Sequence, residues 1–140
     1  MGRISVDDYY LGIAEAVSKR SSCLKRQYGA VIVNNQEIVS TGYNGSPRGE
    51  INCCDTGKCE RLHVPHNSGR YDLCHSVHAE MNALLAASRA DVLGGTLYLY
   101  GEENGKVINA SPCPVCSRLI KNAGISKVIA SKQFSEEDHE

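Results

Sequence analysis

The spacing of apolar and polar positions changes several times along this chain, and each change marks an element. Ser5-Val6-Asp7-Asp8 has the form of a capping box ahead of the run 9–18, which places a first helix there. A short apolar, β-branched run at 29–33 ends at the turn signal Asn34-Asn35 and is followed by 38–42, which together predict a β-hairpin. Met81, Leu84, Leu85 and Ser88 follow His78 at helical spacing within HAEMNALLAASRA, so a helix begins at or near His78. Residues 96–100 (TLYLY) are a strand by content. Cys116, Leu119, Ile120 and Ala123 mark one face of another helix, which Gly124 terminates. A last strand covers 126–130, and the polar, acidic tail 131–140 is expected to fray.

The order helix, strand, strand, helix, strand, helix, strand implies an α/β domain with helices packed on a mixed sheet. No internal repeat or linker interrupts it, so 1–140 is expected to form a single domain. The exception is a Cys/His-rich insert at about 43–75, which lacks clean periodicity. A structureless stretch of that length inside a compact domain needs something to tie it down, and a second metal would do so.

Composition narrows the function classes. Hydrophobic residues make up 41% and charged residues 22%, a globular balance, and the formal net charge is −1. Without a basic face the chain is not built to coat nucleic acid. The N-terminus has no apolar run of signal-peptide length, no stretch could span a membrane, and Val6 stands where a myristoylation signal needs Ser or Thr. A cytoplasmic protein is the expectation, and there the seven cysteines read as metal ligands and thiols rather than disulfides.

The strongest chemical pattern is His78-Ala79-Glu80 followed by Pro112-Cys113-Pro114-Val115-Cys116. One imidazole and two thiolates leave the fourth tetrahedral position of Zn²⁺ open, as a catalytic site requires. His78 and Cys113 each sit at a predicted helix start, Cys116 is one turn on, and Pro114 occupies the first turn, where its missing N–H is harmless. A helix N-terminus also favours thiolates. Glu80 is the candidate proton shuttle, taking a proton from water and delivering it to a ring nitrogen and then to a departing amine, a task suited to a raised pKa. Taken alone, C-x-x-C also fits a structural zinc knuckle, and a Glu after a His also fits a solvated helix residue. The combination H-x-E…P-C-x-x-C is an established signature of zinc nucleobase deaminases.

These residues resemble the cytidine and deoxycytidylate deaminase superfamily, and within it the deoxycytidylate (dCMP) deaminases. The resemblance runs from about Cys23 to Ile129 and is carried by CLKRQYGAVIV at 23–33, TGYNGSPRG at 41–49, CHSVHAEMNA at 74–83 and SPCPVC at 111–116. It implies a three-layer fold, a central mixed β-sheet flanked by helices, and zinc-dependent hydrolysis of dCMP to dUMP and ammonia in the supply of dTTP precursors. It also implies that Asn44 binds the deoxyribose, the Ala79 backbone N–H meets the pyrimidine carbonyl, and the Ser111 region lines the leaving amine. Arg26 becomes the candidate for the phosphate, since a guanidinium offers paired donors to an oxyanion. Many members form hexamers regulated by dCTP and dTTP, with contacts expected at the GYNG region and Arg89. The chain departs from the family pattern at 101–110, where members pass from strand to S-P-C within a few residues.

Cys23, Cys53, Cys59 and Cys74 are candidate ligands of a second, closed structural zinc, with Cys54, His63, His66 and His75 as substitutes and buried or solvated thiols as the alternative. His63, His66 and His139 otherwise read as ordinary loop histidines. Tyr43 and Tyr71 either flank the substrate or pack. Two further functions compete with dCMP deamination: a deaminase of another cytosine nucleoside, nucleotide or base, and an inactive zinc-stabilised nucleotide-binding module. The expected partners are a small nucleotide, dCTP or dTTP as effectors and further copies of this chain, with neither nucleic acid nor membrane.

Overall fold

In the computed structural model, which describes residues 2–50 and 77–133, the chain runs α1 (Val6–Ser18), β1 (Gln27–Asn34), β2 (Glu37–Tyr43), α2 (Ala79–Leu85), α3 (Arg89–Val92), β3 (Thr96–Glu103), β4 (Lys106–Val107), α4 (Pro114–Asn122) and β5 (Lys127–Ala130). β1 is antiparallel to both β2 and β3, whereas β5 runs parallel to β3, so the sheet is mixed. β4 continues along the same edge of β3 beyond β5.

Alternation along the two central strands sorts side chains onto two faces. Val31 and Val33 of β1, with Tyr98 and Tyr100 of β3, pack under α1 against Tyr10 and Ala14. Ala30, Ile32, Leu97 and Leu99 point the other way, against Ala79 and Ala83 of α2, Val92 of α3 and Ile120 of α4. The result is three layers, as the resemblance implied, with helices on a mixed sheet as expected from the element order.

The local signals that placed the helices act as anticipated. Ser5 caps α1, its Oγ accepting the Asp8 N–H at 3.1 Å. His78 is the N-cap of α2; Cys113 is the N-cap of α4 with Pro114 following; Gly124, at φ 85°, follows the end of α4. Two details differ. The helix after His78 stops at Leu85, because Ser88 caps a new short helix instead, accepting the Asp91 N–H through its Oγ. On α4, Cys116 and Ile120 are buried but Leu119 is 43% exposed, so the inward face is narrower than its apolar content suggested.

Both hairpins turn on two residues with positive φ, the form that matches strand twist. The first uses Asn35 and Gln36, one position beyond the expected pair. The second uses Asn104 and Gly105, and it converts the expected loop at 101–110 into an extension of β3 that folds back as β4. The Asn-Gly signal was present, but the flanking GEE and KV lack the apolar alternation that identifies strands.

The tail contributes more than fraying. Ser131 is buried, its Oγ accepting the Gly101 N–H at 3.1 Å and donating to the Ile108 carbonyl at 3.0 Å. Its backbone carbonyl accepts the Ala110 N–H at 3.0 Å, so Ser131 fixes the chain leading into Cys113. Residues 134–140 and the insert residues 51–76 lie outside the described residues.

Two glycines set how closely helices approach the sheet. A Cβ on Gly29 would overlap the Ala14 carbonyl oxygen of α1. On Gly42 it would lie 2.5 Å from the Ala79 carbonyl oxygen and 2.9 Å from the Asn82 carbonyl carbon, directly under α2. Helix backbone cannot move aside as a side chain tip can, so Gly42→Ala must push α2 off the sheet, at a cost of about 1–3 kcal/mol. Urea unfolding is expected to show that loss, and because α2 carries Glu80, turnover is expected to fall as well.

Candidate functional site

His78, Cys113 and Cys116 come together at the N-terminal ends of α2 and α4, which touch across the sheet face opposite α1. Several contacts fix the entry to α2. Gly45 and Val77 exchange backbone hydrogen bonds of 3.1 and 2.7 Å immediately before His78. Ser40 Oγ donates to the Ala83 carbonyl at 2.7 Å, and Asn82 Nδ2 donates to the Tyr43 carbonyl at 2.8 Å, tying α2 to β2. Nothing in the spacing of apolar residues announces these ties, since each joins backbone or a polar side chain to backbone far away in sequence.

The His78 Nδ1 atom lies 3.5 Å from Cys113 Sγ and 3.3 Å from Cys116 Sγ. All three ligand atoms fall within 4.8 Å of one another. Tetrahedral Zn²⁺ with ordinary Zn–N and Zn–S bonds needs N···S separations of roughly 3.5 Å, so the donor set fits that ion through Nδ1. Cys113 Sγ also accepts the Cys116 N–H at 3.4 Å, the capping bond at the start of α4.

Glu80 is 4% exposed, and its carboxyl lies near enough to the Cys116 thiol for each to shift the other's pKa, so it faces the ligand cluster. Burial pushes the Glu80 carboxyl above the usual carboxylate range, opposed by bonds to its own backbone N–H and to Cys116. Burial also pushes the Cys116 thiol far up, with the charges of Glu80 and Cys113 adding to it. The helix N-terminus alone does not offset that penalty. A divalent cation among the three donors does, because a coordinated thiol loses its proton outright. A buried thiol kept neutral by burial and by its charged neighbours, beside a second thiol and an imidazole, is therefore chemically matched to a metal.

The remaining candidates are distributed around this cluster. Ala79 is the first residue of α2 and is fully buried; N–H groups of a first helical turn have no intrahelical acceptor. Ser111 is exposed, two residues before Cys113. Asn44 is buried, and its Oδ1 accepts the Tyr28 N–H at 2.8 Å and the Ser21 hydroxyl at 2.6 Å, while Nδ2 donates to the Arg26 carbonyl at 2.9 Å. Most of its amide is thus engaged in holding the start of β1, with one N–H remaining for a ligand. Arg26 lies just ahead of β1, its side chain 22% exposed. Cys23 is partly buried and its carbonyl accepts Gln27 Nε2 at 2.6 Å. Its proposed partners Cys53, Cys59 and Cys74, with Cys54, His63, His66, His75 and Tyr71, are outside the described residues.

Tyr28 was not singled out in the sequence, although alternation with Ala30 and Ile32 puts it on the face of the metal donors. Burial pushes its phenol up; Arg26 opposes this, while Glu80 and Cys23 add to it, so Tyr28 shares the electrostatic field of the site.

Comparison with known proteins agrees with this geometry. The family model for the cytidine and deoxycytidylate deaminase zinc-binding region matches residues 4–132. The deoxycytidylate deaminase of Mycobacterium phage D29 is 39% identical over 137 residues, covering 95% of this chain and 99% of the phage protein. That of Schizosaccharomyces pombe is 38% identical over 138 residues, covering 98% of this chain but only 40% of the yeast protein. Among solved structures, the dCMP deaminase of cyanophage S-TIM5 in complex with dCMP and dUMP superposes with a TM-score of 0.68 at 29% identity, over 99% of this chain and 89% of that one. The motif, the three converging donors with Glu80 beside them and these likenesses give one result: the chain belongs to the cytidine and deoxycytidylate deaminase family.

Proposed function

We propose that this chain catalyses the zinc-dependent hydrolytic deamination of dCMP to dUMP, releasing ammonia, in the supply of dTTP precursors. The observation that carries the reading is the buried Glu80 carboxyl turned toward a His78/Cys113/Cys116 donor set. The 39% identity to the phage D29 deoxycytidylate deaminase and the likeness to a deaminase structure holding dCMP and dUMP support the substrate.

When bound by His78, Cys113 and Cys116, zinc supplies a water whose pKa falls from about 15.7 to roughly 7, so that hydroxide is available near neutral pH. Glu80 takes the proton that the attacking water gives up. It then passes that proton to the adjacent ring nitrogen, so that carbon 4 of the pyrimidine becomes tetrahedral without building charge on the ring. The carboxylate then takes the proton of the new carbon-4 hydroxyl and gives it to the amine, and ammonia leaves as the carbonyl forms. The raised pKa that burial confers suits a group that is protonated midway through the cycle. The Ala79 N–H holds the pyrimidine carbonyl, the Ser111 segment borders the leaving amine, the remaining N–H of Asn44 meets the sugar, and Arg26 meets the phosphate.

The reading extends to a second, structural zinc held by Cys23, Cys53, Cys59 and Cys74, which would anchor the insert at about 43–75 within a single domain spanning 1–140. It extends also to a cytoplasmic setting, to assembly as a hexamer and to regulation by dCTP and dTTP. Among the described residues a trough of about 860 Å³, lined by Arg20, Ser22, Tyr43, Ser46 and Arg48, with Glu50 as its acid, supports the last point by offering two cations to an anionic effector. No helix among the described residues is long and apolar enough to cross a membrane.

Ammonia release assayed with dCMP, CMP, deoxycytidine, cytosine and guanine is expected to be fastest with dCMP; comparable turnover of an unphosphorylated nucleoside or base would overturn the substrate. Glu80→Gln and Glu80→Ala are expected to keep the fold and the zinc while losing about 10²- to 10⁴-fold in kcat. Full activity in either variant removes Glu80 from the mechanism, whereas a loss of that size argues against an inactive binding module. Native mass spectrometry is expected to count two zinc ions per chain, and a count of one eliminates the structural site.

A further inference from the structure

The β3–β4 hairpin brings an acidic side chain to Arg26. Glu103, the last residue of β3 before the Asn104-Gly105 turn, places Oε2 3.5 Å from Arg26 Nη2. Arg26 Nη1 lies 3.5 Å from the Tyr28 hydroxyl, and Arg26 Nε is buried without a hydrogen-bond partner among the described residues. Tyr28 is itself held at both ends. Its backbone N–H is bound by Asn44, and its ring lies over Gly101, where a Cβ would come within 2.6 Å of Cε1. Gly101 and Glu103 both belong to β3, so one strand seats the ring and supplies the carboxylate.

Both contacts to the guanidinium are at the long limit for a hydrogen bond. They aim the group without saturating it, and five N–H donors in a rigid fork remain suited to a shorter, bidentate oxyanion partner. A buried Nε with no acceptor points the same way, because buried donors are ordinarily satisfied. We propose that Glu103 is a positioning residue: the hairpin carries it to Arg26, and together with the Tyr28 hydroxyl it holds the guanidinium ready for the phosphate of a nucleoside monophosphate. This deepens, and rests on, the assignment of Arg26 to the phosphate. It gives the 101–110 extension a task in substrate choice, since a guanidinium left to solvent would sample many rotamers and meet the phosphate less often.

The measurement is the ratio of kcat/KM for dCMP to that for deoxycytidine, which differ only in the phosphate. Arg26→Ala is expected to lower this ratio about ten- to a hundredfold, the range of a charged hydrogen bond. Glu103→Ala is expected to lower it about three- to tenfold through KM for dCMP, with Glu103→Gln, which keeps an acceptor oxygen, falling between wild type and Glu103→Ala. In the Arg26→Ala background Glu103→Ala is expected to add no further loss in the ratio, because the two act as one unit. A Glu103→Ala effect that lowers both substrates equally, or that adds fully to Arg26→Ala, overturns the positioning role. If Arg26→Ala leaves the ratio intact, Arg26 does not serve the phosphate and the positioning role falls with it, while deamination of dCMP by Glu80 stands.

Discussion

A half-buried imidazole, two buried thiols and a buried carboxyl share one small volume at the meeting of two helix N-termini, and a cation is what makes that crowding stable. Burial drives the Glu80 carboxyl and the Cys116 thiol toward their neutral forms, and for the thiol the charges of Glu80 and Cys113 add to it. A divalent ion reverses the balance for the thiols, because direct coordination outweighs the loss of hydration. It leaves Glu80 as the one acid in the cluster free to exchange protons. The same burial that penalises charge there thus also strengthens the carboxyl's hold on a proton, as the proposed proton shuttle requires.

The fold serves this cluster by bringing two helix starts together on one face of a mixed sheet. α2 reaches its position because Gly42 lets it lie directly on β2, and because Ser40, Asn82 and the Gly45–Val77 pair fix its entry. α4 reaches its position through the ladder from β3 to β5 and through Ser131, which binds the strand, the hairpin exit and the segment before Cys113. The opposite face, where Tyr98 donates to Asp7 at 2.9 Å and Lys19 meets Glu102 at 2.6 Å, anchors α1 and takes no part in the chemistry. One layer holds the sheet, and the other carries the site.

Much of this was legible in the residues for local reasons. Caps at Ser5 and Cys113, the terminating Gly124 and the short apolar runs of β1 and β3 all depend on neighbours a few positions away. Metal donors were legible because His, Cys and Cys at that spacing have few other uses when an acid and a proline accompany them. The 101–110 hairpin was not, because its strands are too polar and short for periodicity to identify. Ser131 was not, because a serine at the head of an acidic tail looks like every other solvated serine until four backbone partners surround it.

By itself, then, the sequence determined the donor cluster His78, Cys113 and Cys116 with Glu80 beside it, together with the α/β layering, since both are written in short-range spacing. Tertiary structure alone decided which nitrogen of His78 faces the thiols, that most of the Asn44 amide is spent on the backbone of β1, and that Glu103 and Tyr28 converge on Arg26. Those outcomes depend on distances between atoms far apart in the chain, which hydrogen bonding and close packing settle only after the sheet has formed.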